Sequence, residues 1–131
     1  MSSIDQIKKN EGFSGMPYDD SLGYATIGYG TKLPLSEYES ELILKHRYDQ
    51  KIKELVRKKP VVEELPHNAK DALFEMAYQM GVNGVLKFQK MWEALEKRNF
   101  SAAYKEALDS KWAKQTPSRA EKVARKFLES V

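Results

Sequence analysis

A change in the spacing of apolar residues limits the possible folds of this chain more than any other feature of its sequence. Residues 16–33 alternate Tyr, Thr, Ile and Gly, and turn signals stand at Asp19-Asp20 and at Gly23. This pattern is typical of a small antiparallel sheet. From Asn68 onward, the apolar residues instead follow the 3.6-residue period of helices. The sequence therefore predicts an α+β fold with a small sheet near its N-terminal end.

The segment before the predicted sheet has the pattern of a short helix. Ile4 and Ile7 give residues 3–11 an apolar stripe, and Gly12 is a stop signal for the helix. Further helices are predicted over residues 86–97, 101–109 and 118–129, in the part of the chain that follows the helical period.

A long helix is predicted directly after the sheet. Residues 36–39 read Ser-Glu-Tyr-Glu, which is a capping box, and Pro60 ends the helix near Lys59. At the rise of an α-helix, this segment spans roughly 35 Å, which is long enough to connect two lobes. We predict a single domain over residues 1–131: a small lobe at 13–35, a connecting helix at 36–59, and a C-terminal helical bundle at 60–131 that also includes the helix 3–11.

Composition excludes several classes of protein. The chain has no cysteine, which excludes a disulfide framework and thiolate zinc sites. No apolar run approaches the ~18 residues that span a bilayer, and the N-terminal segment lacks the apolar core of a signal peptide. We therefore expect no stable membrane insertion, no signal peptide, and a protein held in the cytoplasm until something else releases it.

The charge of the chain favours polyanionic partners. Its formal net charge is +3, and basic residues are concentrated between Lys111 and Lys126. Such a surface attracts nucleic acids, anionic lipids or cell-wall polymers, although a solvated helix face explains the same charges. No nucleic-acid recognition motif accompanies the basic stretch, so no nucleic-acid partner is predicted.

Several kinds of catalytic site lack the residues that they require. The two histidines, His46 and His67, are too far apart in sequence for a metal-binding motif, and no nucleophile motif surrounds any serine. Gly28 and Gly30 lack the third glycine of a dinucleotide-binding loop. No metal and no cofactor is therefore predicted.

Carboxylates are the remaining candidates for chemistry. Glycoside hydrolysis uses two of them, one on each side of the sugar ring. Glu11 ends the first predicted helix, Asp20 stands at the turn of the predicted sheet, and Thr26 follows on a strand where its hydroxyl could hold a water. The spacing alone is also compatible with three unrelated polar residues, and the neighbouring Asp19 is a rival for Asp20.

The residues around these three resemble the active-site segment of the phage lysozymes, the muramidase family of the T-even phage type. The family pattern is Glu-Gly, then Tyr-x-Asp-x-x-Gly-x-x-Thr-Ile-Gly-x-Gly, and Glu11-Gly12 with residues 18–30 meets every fixed position. Residues 78–88 and residues 112–120 are similar to two later blocks of the same family. The resemblance implies a lysozyme-like fold.

The resemblance also implies roles for individual residues. Glu11 is expected to be the general acid, while Asp20 and Thr26 are expected to hold the attacking water and so to invert the anomeric carbon. The residues expected to contact substrate or shape the cleft are Gly30, Lys32, Tyr78, Gln79 and Arg119, the last of which is also expected to orient Glu11. Trp112 is expected to belong to the core of the helical lobe.

The implied activity is that of an endolysin, a bacteriolytic glycoside hydrolase of the muramidase class. It would cleave the β-1,4 bond between N-acetylmuramic acid and N-acetylglucosamine in peptidoglycan. We expect a monomer that stays in the host cytoplasm until a separate holin releases it to act in the periplasm or cell wall. The alternatives are a lytic transglycosylase, which needs the acid but no attacking water, and a non-catalytic wall-binding module.

Overall fold

The structure is a computed structural model that describes residues 2–130. Its α-helices, in chain order, are α1 (Ser3–Glu11), α2 (Glu37–Lys58), α3 (His67–Met80), α4 (Val82–Leu86), α5 (Gln89–Glu96), α6 (Phe100–Leu108), α7 (Lys111–Gln115) and α8 (Pro117–Leu128). The strands are β1 (Ser14–Asp19), β2 (Ala25–Gly28) and β3 (Thr31–Lys32), and a 3-10 helix covers Pro60–Glu64. The prediction of an α+β fold with a small antiparallel sheet is confirmed.

The chain contacts divide the molecule into two compact units, Met1–Ile43 and Leu44–Val131. The division falls inside α2, and it groups α1 with the sheet. This grouping differs from the expectation that residues 3–11 belong with the helical lobe. The bounds predicted for the two lobes and the connecting helix, 13–35, 36–59 and 60–131, remain a prediction.

The first unit contains a three-stranded antiparallel sheet in the order β1-β2-β3. Thr26 is the central residue of the register, because it lies opposite Tyr18 on β1 and opposite Lys32 on β3. The side chain of Thr26 is fully buried while that of Ile27 is half-buried, as expected for neighbours that lie on opposite faces of a strand. The turn between β1 and β2 is closed by the N–H of Asp20, which donates to the carbonyl of Tyr24 at 2.9 Å.

The sequence signals place both ends of α1 and of α2 to within one residue, whereas the helix predicted over residues 86–97 begins only at Gln89, because α4 ends at Leu86. In the predicted capping box, the N–H of Glu39 donates to Ser36 Oγ at 3.1 Å, and the N–H of Ser36 donates to Glu39 Oε1 at 3.0 Å. The N–H of Ser36 is the largest cause that lowers the pKa of the Glu39 carboxyl, and the Ser36 hydroxyl lowers it further. At the other end of this unit, α1 ends at Glu11 because Gly12 takes a positive φ of 68°. The end of α1 fixes the position of Glu11 in the chain.

The second unit contains the hydrophobic core of the protein. Helix α8 packs against α3, α6 and α7, and α6 also packs against α5. The largest fully buried apolar side chains come from these helices and from α2, α4 and the 3-10 helix: Leu55, Val62, Leu73, Met76, Val85, Met91, Leu95 and Phe127. Trp112 is also buried in this core, as predicted. The short helices α4 and α7 were not predicted separately, because five residues are too few to show a helical period.

Candidate active site

Glu11 lies against the backbone of Gly30. A Cβ atom added to Gly30 would be 2.6 Å from Glu11 Oε2 and 2.7 Å from its Cδ. Gly30 also has a φ of +72°, a conformation that favours glycine. The glycine is therefore required both by its own backbone and by the carboxyl group beside it. Two predicted site residues, one at the end of α1 and one between β2 and β3, are brought together in this way.

Asp20 is held by the turn that follows β1. Its Oδ1 accepts the N–H groups of Leu22 at 2.9 Å and Tyr24 at 2.8 Å, and its Oδ2 accepts from Lys32 Nζ. Only 16% of its side chain is exposed. The bond from Lys32 is the largest cause that lowers the pKa of the Asp20 carboxyl, and the N–H of Tyr24 lowers it further against the opposing effect of burial. The surroundings of Asp20 therefore favour the ionised form of its side chain.

The hydroxyl of Thr26 belongs to the same cluster. It donates to the carbonyl of Tyr24 at 2.8 Å, and Lys32 Nζ lies 3.4 Å from its oxygen. Tyr24 thus binds Asp20 through its N–H and Thr26 through its carbonyl. The cluster joins two residues that were predicted to hold the attacking water.

Asp19, the rival carboxylate, differs from Asp20 in its surroundings. It is exposed at the end of β1, where its backbone pairs with Ala25. Among the hydrogen bonds and ion pairs of residues 2–130, none involves its side chain. Its position is that of a turn-flanking strand residue, which favours Asp20 as the functional carboxylate.

Lys32 makes the contact that sequence reasoning missed. The bond from its ammonium to Asp20 is the largest cause that raises the pKa of Lys32, and the charge of Glu11 contributes in the same direction. A hairpin register that pairs Thr26 with Lys32 could have placed Lys32 beside Thr26, because directly paired residues share one face of a sheet, but it gives no signal for the bond to Asp20, which lies outside the strands. The expected contact of Lys32 with substrate stays a prediction.

The other predicted site residues lie in the second unit, at two separate pockets. Gln79 Oε1 accepts from Trp112 Nε1 at 3.0 Å, and both residues line a pocket of about 650 Å³. Tyr78 and Arg119 line a pocket of about 350 Å³ together with Tyr48. These residues lie where a sugar or a peptide could contact them, and their roles stay predictions.

Within residues 2–130, no group of three or more His, Cys, Asp or Glu side chains is arranged to hold a metal ion. No helix in that part of the chain is both long and apolar enough to cross a membrane.

Comparison with known proteins identifies similar chains. The sequence model of the phage lysozyme family matches residues 8–126. The chain is 28% identical to "Probable T4-type lysozyme 1" of Dictyostelium discoideum, over 94% of this chain and 92% of that protein. It is 30% identical to "Pre-baseplate central spike protein Gp5" of Enterobacteria phage T4, over 94% of this chain but 27% of that protein.

Proposed function

The chain belongs to the phage lysozyme family, and we propose that it hydrolyses the β-1,4 bond between N-acetylmuramic acid and N-acetylglucosamine with Glu11 as general acid. The observation that carries the proposal is that Glu11, Asp20 and Thr26 belong to one unit, in which Glu11 lies against Gly30 and the other two are hydrogen-bonded to Tyr24. Membership of this family makes the chain a lysozyme-type peptidoglycan hydrolase.

The two carboxyl groups take different roles because their surroundings differ. Asp20 accepts two N–H groups and an ammonium, which stabilise its charge and suit a base that stays ionised. Glu11 is exposed at the end of its helix, where its carboxyl can reach a bound glycan. In the reaction, the Glu11 proton passes to the glycosidic oxygen as the bond to the anomeric carbon breaks.

The oxygen of a water held by Asp20 and Thr26 forms the new bond to the anomeric carbon. The Thr26 hydroxyl uses its only proton on the Tyr24 carbonyl, so it can bind a water only as an acceptor. The water oxygen attacks the anomeric carbon from the face opposite the leaving oxygen, and its proton passes to Asp20. Attack from that face inverts the configuration of the sugar. Solvent then restores the proton of Glu11 and removes the proton from Asp20.

Hydrolysis is favoured over lytic transglycosylation by the same pair of residues. A transglycosylase uses an acid but no attacking water, so Asp20 and Thr26 would have no role in it. The first candidate role for this hydrolysis is host lysis: the protein would act as a bacteriolytic monomer on the periplasmic or cell-wall side after a holin had released it from the cytoplasm.

A second candidate function is that of a lysozyme domain within a virion. The observation that favours it is the match to the T4 central spike protein, of which this chain spans about a quarter. In that role, the same chemistry would open the cell wall locally from outside. A non-catalytic wall-binding role requires no Glu11, and the test below separates it from both enzymatic roles.

Release of reducing ends from purified peptidoglycan tests the proposal. Glu11→Gln should reduce the rate on the order of 10³-fold and Asp20→Asn on the order of 10²-fold, since each removes a proton-transfer group. Asp19→Asn and Glu37→Gln are matched controls, and both should keep the wild-type rate. Wild-type activity in either active-site variant would contradict the role given to that residue. Anhydro-sugar products, detected by mass spectrometry, would replace hydrolysis with transglycosylation.

A further inference from the structure

The ammonium of Lys32 lies between the two oxygens that are proposed to hold the attacking water. It donates to Asp20 Oδ2 and lies 3.4 Å from Thr26 Oγ1. The sheet register produces this position, because Lys32 and Thr26 are directly paired across β2 and β3. The side chains of such a pair extend from the same face of the sheet.

The hydrogen-bonding capacity of Asp20 is almost fully used. A carboxylate offers about four acceptor sites, two on each oxygen. The N–H groups of Leu22 and Tyr24 take the two sites of Oδ1, and Lys32 takes one site of Oδ2. One acceptor site therefore remains, on Oδ2.

The capacity of Thr26 is reduced in the same way. Its hydroxyl proton is directed to the Tyr24 carbonyl, which leaves two acceptor sites on Oγ1. Lys32 faces one of these sites. A water that bridges Thr26 and Asp20 then finds one acceptor on each and must donate both of its protons. In that orientation neither Asp20 nor Thr26 uses the lone pairs of the water, so one of them is available to attack a bound sugar.

We infer that Lys32 is a positioning residue of the hydrolytic reaction, whose ammonium ties Asp20 to Thr26 and leaves between them the acceptor sites for one water in one orientation. The inference rests on the proposed function and assigns a further residue to it.

The charges around Lys32 are consistent with this role. Asp20 contacts it directly, and the carboxyl of Glu11 and the side chain of Tyr18 also act on its charge. The positive charge of Lys32 is thus surrounded by acidic groups from three elements: Glu11 of α1, Tyr18 of β1 and Asp20 of the turn after β1. Its removal would leave Asp20 with its N–H donors alone, and the pKa of that carboxyl would rise.

Steady-state kinetics on a soluble glycan tests the inference with three variants. In Lys32→Met, we expect kcat to fall on the order of tenfold while KM changes less than about twofold, because a misplaced nucleophile slows chemistry more than binding. In a plot of kcat against pH, the acid limb should move to higher pH in this variant, because loss of the ammonium raises the pKa of Asp20 and Asp20 must be ionised to act. Lys32→Arg keeps the charge and should keep the acid limb in place. Lys9→Met is the control, because it removes an exposed cation from the same unit with no contact to Asp20.

Three results would overturn the inference while wild-type protein is active. The first is a Lys32→Met variant whose kcat and acid limb are both unchanged. The second is a Lys32→Met variant whose kcat exceeds that of wild type. The third is an acid limb that moves as far in Lys32→Arg as in Lys32→Met. The second result would mean that the ammonium obstructs the water. Wild-type protein that releases no reducing ends would instead contradict the proposed function, and the inference with it.

Discussion

The interactions that stabilise each of the two units internally are of different kinds. Among the described residues of the first unit, 2–43, Thr26 alone is buried, and large apolar side chains such as Phe13, Met16 and Leu22 are exposed. The second unit contains the whole apolar core, from Leu55 to Phe127. The geometry of the first unit therefore depends on turns, caps and hydrogen bonds, and that of the second depends on packing.

This difference separates chemistry from stability. The three proposed catalytic residues lie in the unit that has little apolar burial, where hydrogen bonds hold Asp20 and Thr26 and the Glu11 carboxyl lies against Gly30. Apolar burial is the main favourable term in folding, so the free energy of unfolding should come largely from the second unit. Substitutions in the two units should consequently affect different measurements.

The largest effect on stability is expected in the second unit. Phe127→Ala should lower the free energy of unfolding by about 3–5 kcal/mol, because it leaves a cavity where a fully buried ring packs. The exposed neighbour provides a control, and Leu128→Ala should cost far less. Urea denaturation measures both. At temperatures where Phe127→Ala is folded, its kcat should stay within about twofold of wild type, and a large loss of kcat would remove the separation between the units.

The next largest effect is expected from Gly30→Ala. The new methyl group would clash with the Glu11 carboxyl and would stand on a backbone with positive φ. A displacement of the acid by about 1 Å should lower kcat on the order of 10²-fold. Gly15→Ala is the matched control, since its Cβ would meet only the Phe13 ring at 3.4 Å. Equal activity of the two variants would show that the position of Glu11 does not depend on Gly30.

A smaller effect is expected at the start of α2. Ser36→Ala removes the cap that accepts the N–H of Glu39, and it should lower the free energy of unfolding by about 1 kcal/mol. Ser40→Ala, on the exposed surface of the same helix, is the comparison. Thermal denaturation followed by circular dichroism distinguishes them, and an identical melting temperature would mean that the cap is not used in solution.

The smallest effect is expected in the pH dependence of stability. The Lys32 bond and the N–H of Tyr24 lower the folded pKa of Asp20 below its ordinary value of 3.8. Its contribution is fully present above the unfolded pKa and is lost as pH falls through the folded pKa. In Asp20→Asn, the free energy of unfolding should therefore fall less steeply than in wild type as the pH is lowered below about 4. A curve of unfolding free energy against pH that matches wild type would indicate that the ion pair is fully screened in solution.

Local features of the fold could be predicted from the sequence because their signals are local. The end of α1 at Gly12, the Ser36–Glu39 capping box and the turn around Gly23 each depend on residues close together in the chain. The family pattern identified Glu11, Asp20 and Thr26 as a set, although nothing in their spacing shows how they meet.

Contacts between distant residues could not be predicted in the same way. The approach of Glu11 to Gly30 depends on how α1 meets the sheet, and the Lys32–Asp20 bond depends on strand register and on a side-chain conformation. The division of the chain within α2 was not predicted either, because a continuous helical period carries no signal of a boundary.

The central claim is that a water held by Asp20 and Thr26 attacks the sugar, and the configuration of the product tests it most directly. NMR spectra of a soluble glycan, recorded within the first minutes of digestion, show which anomer forms before mutarotation. We predict that each new reducing end appears first as the α anomer, by inversion of the β bond. The β anomer as the first product would contradict the claim, because retention requires two successive displacements at the anomeric carbon and not one direct attack by water.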